Sequence, residues 1–527
     1  MVQPLCLDYR LRVNFAQTQE VLSVPDILNM AIESYNRFLQ KGSDFEKTLE
    51  NAFKEIFPIE DVHGKIKLEY VDYYLRESKY NPMICKLKGI TYGASLMLKV
   101  KLTLWDTDAS GNKIGVRDIK EQEIYVCEFP LMSESGSFII NGVERVIVNQ
   151  LHRSPGVIFK NLTQQKENNY YAQIIPEKGS WVEFETDNKN LLHIRIDRKK
   201  KFPATVILKA LGFNDLDILN RIYKLIDIHV KDGNFYAKPD KNLQGFKVKE
   251  DIMVESEVIV QKQKKLTSKV ISRLIDLNIN EIAIDENELL DKYIAEKIDN
   301  NGSVIEGLSL IDSKILQELK LMGNFNFKLL YSEYDDYMII NTLKADHEVL
   351  QKRRIGLKED LPIEDIAKIY LHKSLRPGEH SSVEEANKFF AGLFFDPLKY
   401  DLSIEGRAKI NETLNIDIPK DIRVLTVDDF FGIINHIILF KNGKVSADDM
   451  DSLSNRRVHL VGELLYSEIR KGLYRMQRLI KDRLLMPKET EDLTPYDVIN
   501  TKPVATAVKD FFATGQLSQF LDQTNIL

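Results

Sequence analysis

SFIINGVERVIVNQL, residues 137–151, sets Asn141-Gly142 between two runs rich in β-branched and apolar side chains. A two-residue hairpin turn asks for positive φ at both central positions, and Asn-Gly tolerates that best. The stretch therefore predicts a β-hairpin and marks this part of the chain as strand-rich. Upstream, LKVKLTLW (98–105) alternates apolar and polar side chains with period two, as a half-buried strand must. Downstream, WVEFETDNKNLLHIRID (181–197) predicts a second hairpin with its turn around Asp187 to Asn190.

Helical patterns flank the strands. SVPDILNMAIESYNRFL (23–39) reads as a helix with Ser23 as N-cap, Pro25 in the first turn and Asp26 at the positive end. Ile27, Met30, Ala31, Ser34 and Phe38 would share one face. TVDDFFGIINHIILFKNGK (426–444) has Thr426 and Asp429 at capping-box spacing, apolar residues at 430, 433, 434, 437 and 438, and Gly443 as a stop. A further helix is expected from about NRRVHLVGELL (455–465) to Met486. It carries eight Lys or Arg between 456 and 483 against three acids. Val504, Ala507, Val508, Phe511 and Phe512 form a one-sided apolar stripe. The polar tail beyond Gly515, with Gln516, Ser518, Gln519, Asp522, Gln523 and Asn525, looks like the entry to a site. Residues 215–345 read as a separate acidic module, in which 281–300 hold seven acids against two lysines. The fold class is α+β, with several domains.

The bulk numbers agree. At 527 residues the chain is long enough for roughly three or four domains. Hydrophobic content of 43% and charged content of 29% describe a globular protein. Cys6, Cys85 and Cys127 are too far apart for a CxxC zinc site and odd in number, which suits a reducing cytosol. The start lacks the order of a secretory signal, and FFGIINHIILF (430–440), the most apolar run, is broken by Asn435 and His436. No membrane partner is expected. The net charge of -6 confines any nucleic-acid binding to local clusters.

No phosphate loop, HExxH, GxSxG or carboxylate triad for magnesium is present in the sequence. YDDYM (334–338) and DDMD (448–451) read as solvated acidic loops, and no catalytic or metal residue is assigned. Three basic features remain. RIDRKKKFPAT (195–205) sets Arg195, Arg198, Lys199, Lys200 and Lys201 at the end of a hairpin strand, where a loop would project them toward a polyanion. A plain solvated surface is the alternative. In QLHRSPGV (150–157), Arg153 precedes a turn that it could simply stabilise. In DSLSNRRVHLVGE (451–463), Asp451 is expected just before a helix whose first turn carries Arg456 and Arg457. Cations there are unfavourable unless an anion docks at the same end.

The order of DIKEQEIYVCEFPLM, GSFIINGVERVIVNQLHRSPGV, GSWVEFE, IRIDRKKKFPAT, LRPGE, YDLSIEGRAKIN, DDMDSLSNRRVHLVGE and DVINTKPVATAVKDFFATGQLSQFLDQ resembles the amino-terminal part of the bacterial RNA polymerase β subunit. The resemblance runs from about residue 10 to the end and is looser over 215–345. It implies a protrusion domain over 1–144 with a return at 449–505. It implies a lobe over 145–448 carrying the inserted module, and the start of the fork over 506–527. It also implies a fragment, or half of a split subunit. The implied function is that of a subunit of a nucleotidyltransferase that transcribes DNA. The chain would be inactive alone, with Mg2+ held by the β′ subunit and no cofactor of its own. Implied partners are the β′, α (as a dimer), ω and σ subunits, DNA and nascent RNA; the implied location is the cytoplasmic nucleoid.

By motif position, Arg153, Trp181, Asp451 and Arg456 resemble a pocket that reads single-stranded non-template DNA. Arg198, Lys199, Lys200 and Lys201 would line the DNA path. An indole stacks on an unpaired base, while arginine holds phosphate or a guanine edge. Trp181 could equally be half-buried packing. His459 stands where the family often has arginine, which argues against a third cation there. Gln516, Leu517, Ser518, Gln519, Phe520 and Asp522 resemble the first half of the rifamycin pocket. The rival reading is a stand-alone nucleic-acid-binding or interaction module derived from such a subunit.

Overall fold

The computed structural model describes residues 4–7, 10–13, 28–522 and 524, apart from 43–44, 62–63, 108–112, 165–166, 255–256, 278, 280, 301–302, 333, 335, 355–360, 380 and 486–492. Ser23, Pro25, Asp26, Ile27, Gln523 and Asn525, named above, lie outside the described residues. The chain divides into two compact units, Met1–His152 with Arg457–Leu527, and Arg153–Arg456.

In the first unit a four-stranded antiparallel sheet is dominated by the paired strands Gly93–Thr107 and Lys113–Pro130. Leu98, Val100, Leu102 and Leu104 point into the core while Lys99 and Lys101 stay partly exposed, so the period-two reading holds. The hairpin at Asn141-Gly142 forms as expected. Phe138–Ile140 pairs with Val143–Ile147, and the turn residues have φ of 51° and 81°. The turn also packs closely: a Cβ on Gly142 would stand 2.5 Å from the Cα of Gly89. The helix Val461–Leu484 crosses Lys502–Ala513 so tightly that a Cβ on Gly472 would meet the Ala507 Cβ at 3.0 Å. Val504, Ala507, Val508, Phe511 and Phe512 are all buried, as their spacing predicts. In the helix Asn29–Leu39, Tyr35 and Phe38 are buried. Met30, expected on the same face, is 58% exposed, because it lies in the first turn before the helix meets the core.

The second unit holds two hydrophobic cores. One lies between the sheet of residues 156–203 and the helices Thr205–Ala210, Met338–Arg354, Ile363–Leu375 and Val427–Lys441. Its keystone is Arg407, fully buried. It donates from Nη1 to Asp429 at 2.6 Å, from Nε to the Ile422 carbonyl at 2.8 Å, and to the Val424 carbonyl. Asp429 also accepts from the Thr426 backbone N–H at 2.7 Å, completing the expected capping box, and Gly443 follows the helix at φ 67°. The other core, built from Ile226 to Leu329, packs around the sheet containing Lys224–Lys231 and Phe325–Tyr331. Asp336 of YDDYM is buried. It caps the helix at Met338 and binds Lys441 at 2.9 Å, a structural carboxylate rather than a solvated one.

Candidate nucleic-acid interface

The strands Gly156–Gln164, Glu167–Ile175, Val182–Thr186, Leu192–Ile196 and Phe202–Pro203 form one antiparallel sheet. Side chains alternate between its faces. Val157, Phe159, Ala172, Ile174, Val182, Phe184, Ile194 and Ile196 enter the core. The registers Lys160–Tyr171–Glu185–His193 and Gln173–Glu183–Arg195 put these polar residues on the other face.

Tyr171, Gln173 and Glu183 are nonetheless 8%, 3% and 5% exposed, so something covers them. The cover is cationic. Arg153 donates from Nη1 to the Gln173 Oε1 at 2.9 Å, and Gln173 passes an Nε2 hydrogen bond of 3.0 Å to Glu183. The Lys160 ammonium stands 4.3 Å from the Tyr171 ring centroid. The Arg198 guanidinium lies 5.6 Å from the Trp181 ring centroid, with its Nε 4.0 Å from Glu183. Burial pushes the Lys160 ammonium below its usual range, and the charges of Arg153 and Arg198 push it the same way against Glu183. Burial first, and then a hydrogen bond with Glu183, raises the Tyr171 hydroxyl. Arg153, Trp181 and Arg198 are thus joined through two buried side chains on one face.

A strained turn places Arg198. Asp197 and Arg198 take φ of 48° and 57° in succession, a left-handed conformation costing about 1–2 kcal/mol per residue. The Trp181 backbone holds the turn from both sides: its N–H donates to the Asp197 carboxylate at 2.9 Å, and its carbonyl accepts from the Asp197 N–H at 3.0 Å. The five cations of this segment are not equivalent, contrary to the expectation of one loop projecting them all. Arg195 lies on the sheet beside Glu185 at 3.6 Å. Lys199 donates to the Leu375 carbonyl at 3.0 Å, and Lys201 pairs with Glu185 at 2.8 Å. Lys200 is exposed and, among the described residues, forms no ion pair.

The expected helix start at Arg456 and Arg457 is corrected. Leu453–Asn455 is a 3-10 turn, Arg456–His459 is a strand, and the helix begins at Val461. Arg456–His459 pairs with Gln150–Arg153, so long-range pairing overrides the helical pattern. The unfavourable cation–dipole contact, and the anion it would have required, do not arise. Arg456 donates to the Met450 carbonyl at 3.2 Å and to Asp451 at 2.8 Å, while the Asp451 side chain stays 87% exposed. The Asn455 carbonyl accepts from the Ser154 N–H at 3.0 Å, rooting Arg456 beside Arg153.

Arg457 instead pairs with Glu463 at 2.8 Å, and the His459 Nδ1 stands 2.9 Å from the other oxygen of the same carboxylate. Burial raises the Glu463 carboxyl, but His459, Lys47 and Arg457 outweigh it and hold it below its usual range. His459 is buried and stacked on His152 at 3.9 Å between ring centroids.

In the tail, Ser518–Phe520 adds a strand beside Val143–Ile147. Ser518 is buried and donates to the Phe512 carbonyl at 2.5 Å. The Arg145 guanidinium stands 4.2 Å from the Phe520 ring centroid. Gln516, Gln519, Phe520 and Asp522 are exposed and Leu517 is half-buried.

Gln173, Glu183, Tyr171 and Lys160 were not singled out from the sequence. Their period-two placement was visible in it, but not that cations would roof them. Among the described residues no group of three or more His, Cys, Asp or Glu could hold a metal ion, and no helix is long and apolar enough to cross a membrane.

Comparison with known proteins sets this geometry in context. The family model described as RNA polymerase beta subunit matches residues 26–506. The DNA-directed RNA polymerase subunit beta of Syntrophotalea carbinolica is 39% identical over 530 residues, covering 98% of this chain and 38% of that protein. Its counterpart in Syntrophobacter fumaroxidans is 40% identical over 547 residues, covering 100% of this chain and 39% of that protein. The chain thus spans less than two fifths of the length of these relatives. With a family model covering most of its residues, the chain belongs to the RNA polymerase beta subunit family.

Proposed function

We propose that this chain works as part of a DNA-dependent RNA polymerase, forming walls of the DNA cleft rather than the metal site. Residues 145–448 would act as the lobe, 1–144 with 449–505 as the protrusion, and 506–527 as the start of the fork. The β′ subunit would supply Mg2+ and the chemistry of nucleotidyl transfer, so this chain alone would be inactive. An α dimer, ω and σ would complete the assembly on nucleoid DNA. Gln516 to Asp522 would border the path of nascent RNA.

The observation that carries this reading is the continuous path Arg153–Gln173–Glu183–Arg198–Trp181. It sets an aromatic face and two guanidiniums over one sheet surface, with Arg456 and the exposed Asp451 carboxylate rooted beside Arg153. That combination suits an unpaired base: the indole stacks, arginine holds phosphate or the guanine edge, and Asp451 accepts from base N–H groups. In an enzyme reconstituted with the other subunits, Trp181→Ala with Arg456→Ala should shorten the open-complex lifetime most on promoters with a guanine on the non-template strand of the bubble. An equal loss on every sequence would leave only backbone contact and overturn the base-reading role.

A further inference from the structure

Beneath the exposed cations lies a layer that no DNA group needs to touch, and its hydrogen-bond chemistry has a fixed direction. A carboxylate such as that of Glu183 only accepts hydrogen bonds. The Gln173 amide next to it must therefore turn its Nε2 toward Glu183, at 3.0 Å, and its Oε1 toward Arg153, at 2.9 Å. Both residues are nearly sealed from water, so no solvent molecule substitutes for a misplaced partner. The same carboxylate faces Arg198 Nε at 4.0 Å.

We propose that Glu183 and Gln173 are positioning residues for base recognition: the buried carboxylate fixes the orientation of the Gln173 amide, and the amide fixes the Arg153 guanidinium. This rests on the reading of the site under Proposed function. In Glu183→Gln the obligation disappears. Either amide can rotate, Arg153 loses its directed acceptor, and one buried negative charge is removed from under the cations. Base discrimination then falls while overall attraction for a polyanion is kept or raised, a pairing that loss of structure does not produce.

The test uses the full 527-residue chain and fluorescein-labelled single strands, one all dT and one dT tract carrying a single guanine. Glu183→Gln should lower the guanine-to-thymine affinity ratio by about fivefold or more, the lower bound for one good base contact, with all-dT binding unchanged or tighter. The exchange Gln173→Glu with Glu183→Gln restores the count of charges and a fixed direction of donation. The carboxylate, moved to position 173, would accept both from Arg153 and from the amide moved to position 183, so the ratio should return. A Glu183→Gln ratio equal to the parent's, or an exchange that fails to restore it, overturns the proposal. Arg153→Ala separates the two levels of the argument. If it leaves the ratio unchanged, the reading of the site itself fails and this inference falls with it. If it abolishes the ratio while Glu183→Gln keeps it, only the positioning role is refuted.

Discussion

Neutralising the cations after the strand Leu192–Ile196 one at a time should give unequal effects, and the sizes follow from their partners. Each phosphate neutralised on a single strand contributes about 0.7 to the slope of log K against log salt. Four equivalent cations from Arg198 to Lys201 would together give about 2.8. They are not equivalent: Glu185 offsets the charge of Lys201 at 2.8 Å, and the Leu375 carbonyl pins Lys199 at 3.0 Å. Arg198, whose side chain is 71% exposed with Glu183 no nearer than 4.0 Å, and Lys200 remain, so replacing all four by alanine should lower the slope by about 1.4. Lys200→Ala alone should lower it by about 0.7 and Lys201→Ala by close to zero. Fluorescence anisotropy of a labelled dT oligonucleotide, titrated at several salt concentrations, reads these slopes directly. Equal decrements for Lys200→Ala and Lys201→Ala, or a drop near 2.8 for the quadruple variant, would refute the reasoning that partners decide which cations are available.

Two further outcomes concern stability. Arg407→Met leaves Asp429 buried beside an apolar chain and should cost about 3–5 kcal/mol, read as a lower urea midpoint for the unfolding of residues 153–456. A loss under about 1 kcal/mol would contradict the keystone role, since removing one partner of a buried pair strands the other. Asp215 is pushed up by burial, but His347 at 2.7 Å and Lys209 at 2.9 Å outweigh this and hold it at about 2. Its folded pKa thus lies below the unfolded value of about 3.9, so its stabilising contribution is present above that value and is lost as pH falls from about 4 toward about 2. Asp215→Asn should flatten that part of the acid-unfolding curve, and an unchanged slope there would count against the assignment.

Features set by local chemistry were legible in the sequence. Asn141-Gly142 announces its turn because positive φ is a property of those two residues; that Gly142 must also admit Gly89 at 2.5 Å from an added Cβ was not visible, since the approach joins distant segments. The stripe from Val504 to Phe512 and the Thr426–Asp429 cap follow the helical period and were found in place. The misread segment, Arg456–His459, is a strand because Gln150–Arg153 pairs with it, and Arg457 is stabilised by Glu463 six residues on. Composition could not reveal either. At the candidate site, the cations from Arg195 to Lys201 stand out in the sequence as a basic run, and Trp181 is singled out only by its motif position. The buried Gln173 and Glu183 escaped notice because their burial depends on Arg153 and on the left-handed turn at Asp197 and Arg198. The non-equivalence of Lys199, Lys200 and Lys201 likewise depends on partners that only the folded chain supplies.

The most direct test reads the indole itself. The chain has two tryptophans, Trp105 and Trp181, so Trp105→Phe leaves Trp181 as the sole indole, excited selectively over the tyrosines at the red edge of the absorption band. Titrating this variant with unlabelled dT oligonucleotide should quench the emission as bases stack on the ring, with a half-saturation matching the anisotropy of the labelled strand and a loss of quenching in Arg153→Ala. Unchanged Trp181 emission at DNA concentrations where anisotropy reports full binding would contradict the account, because the strand would then be bound somewhere other than over Trp181.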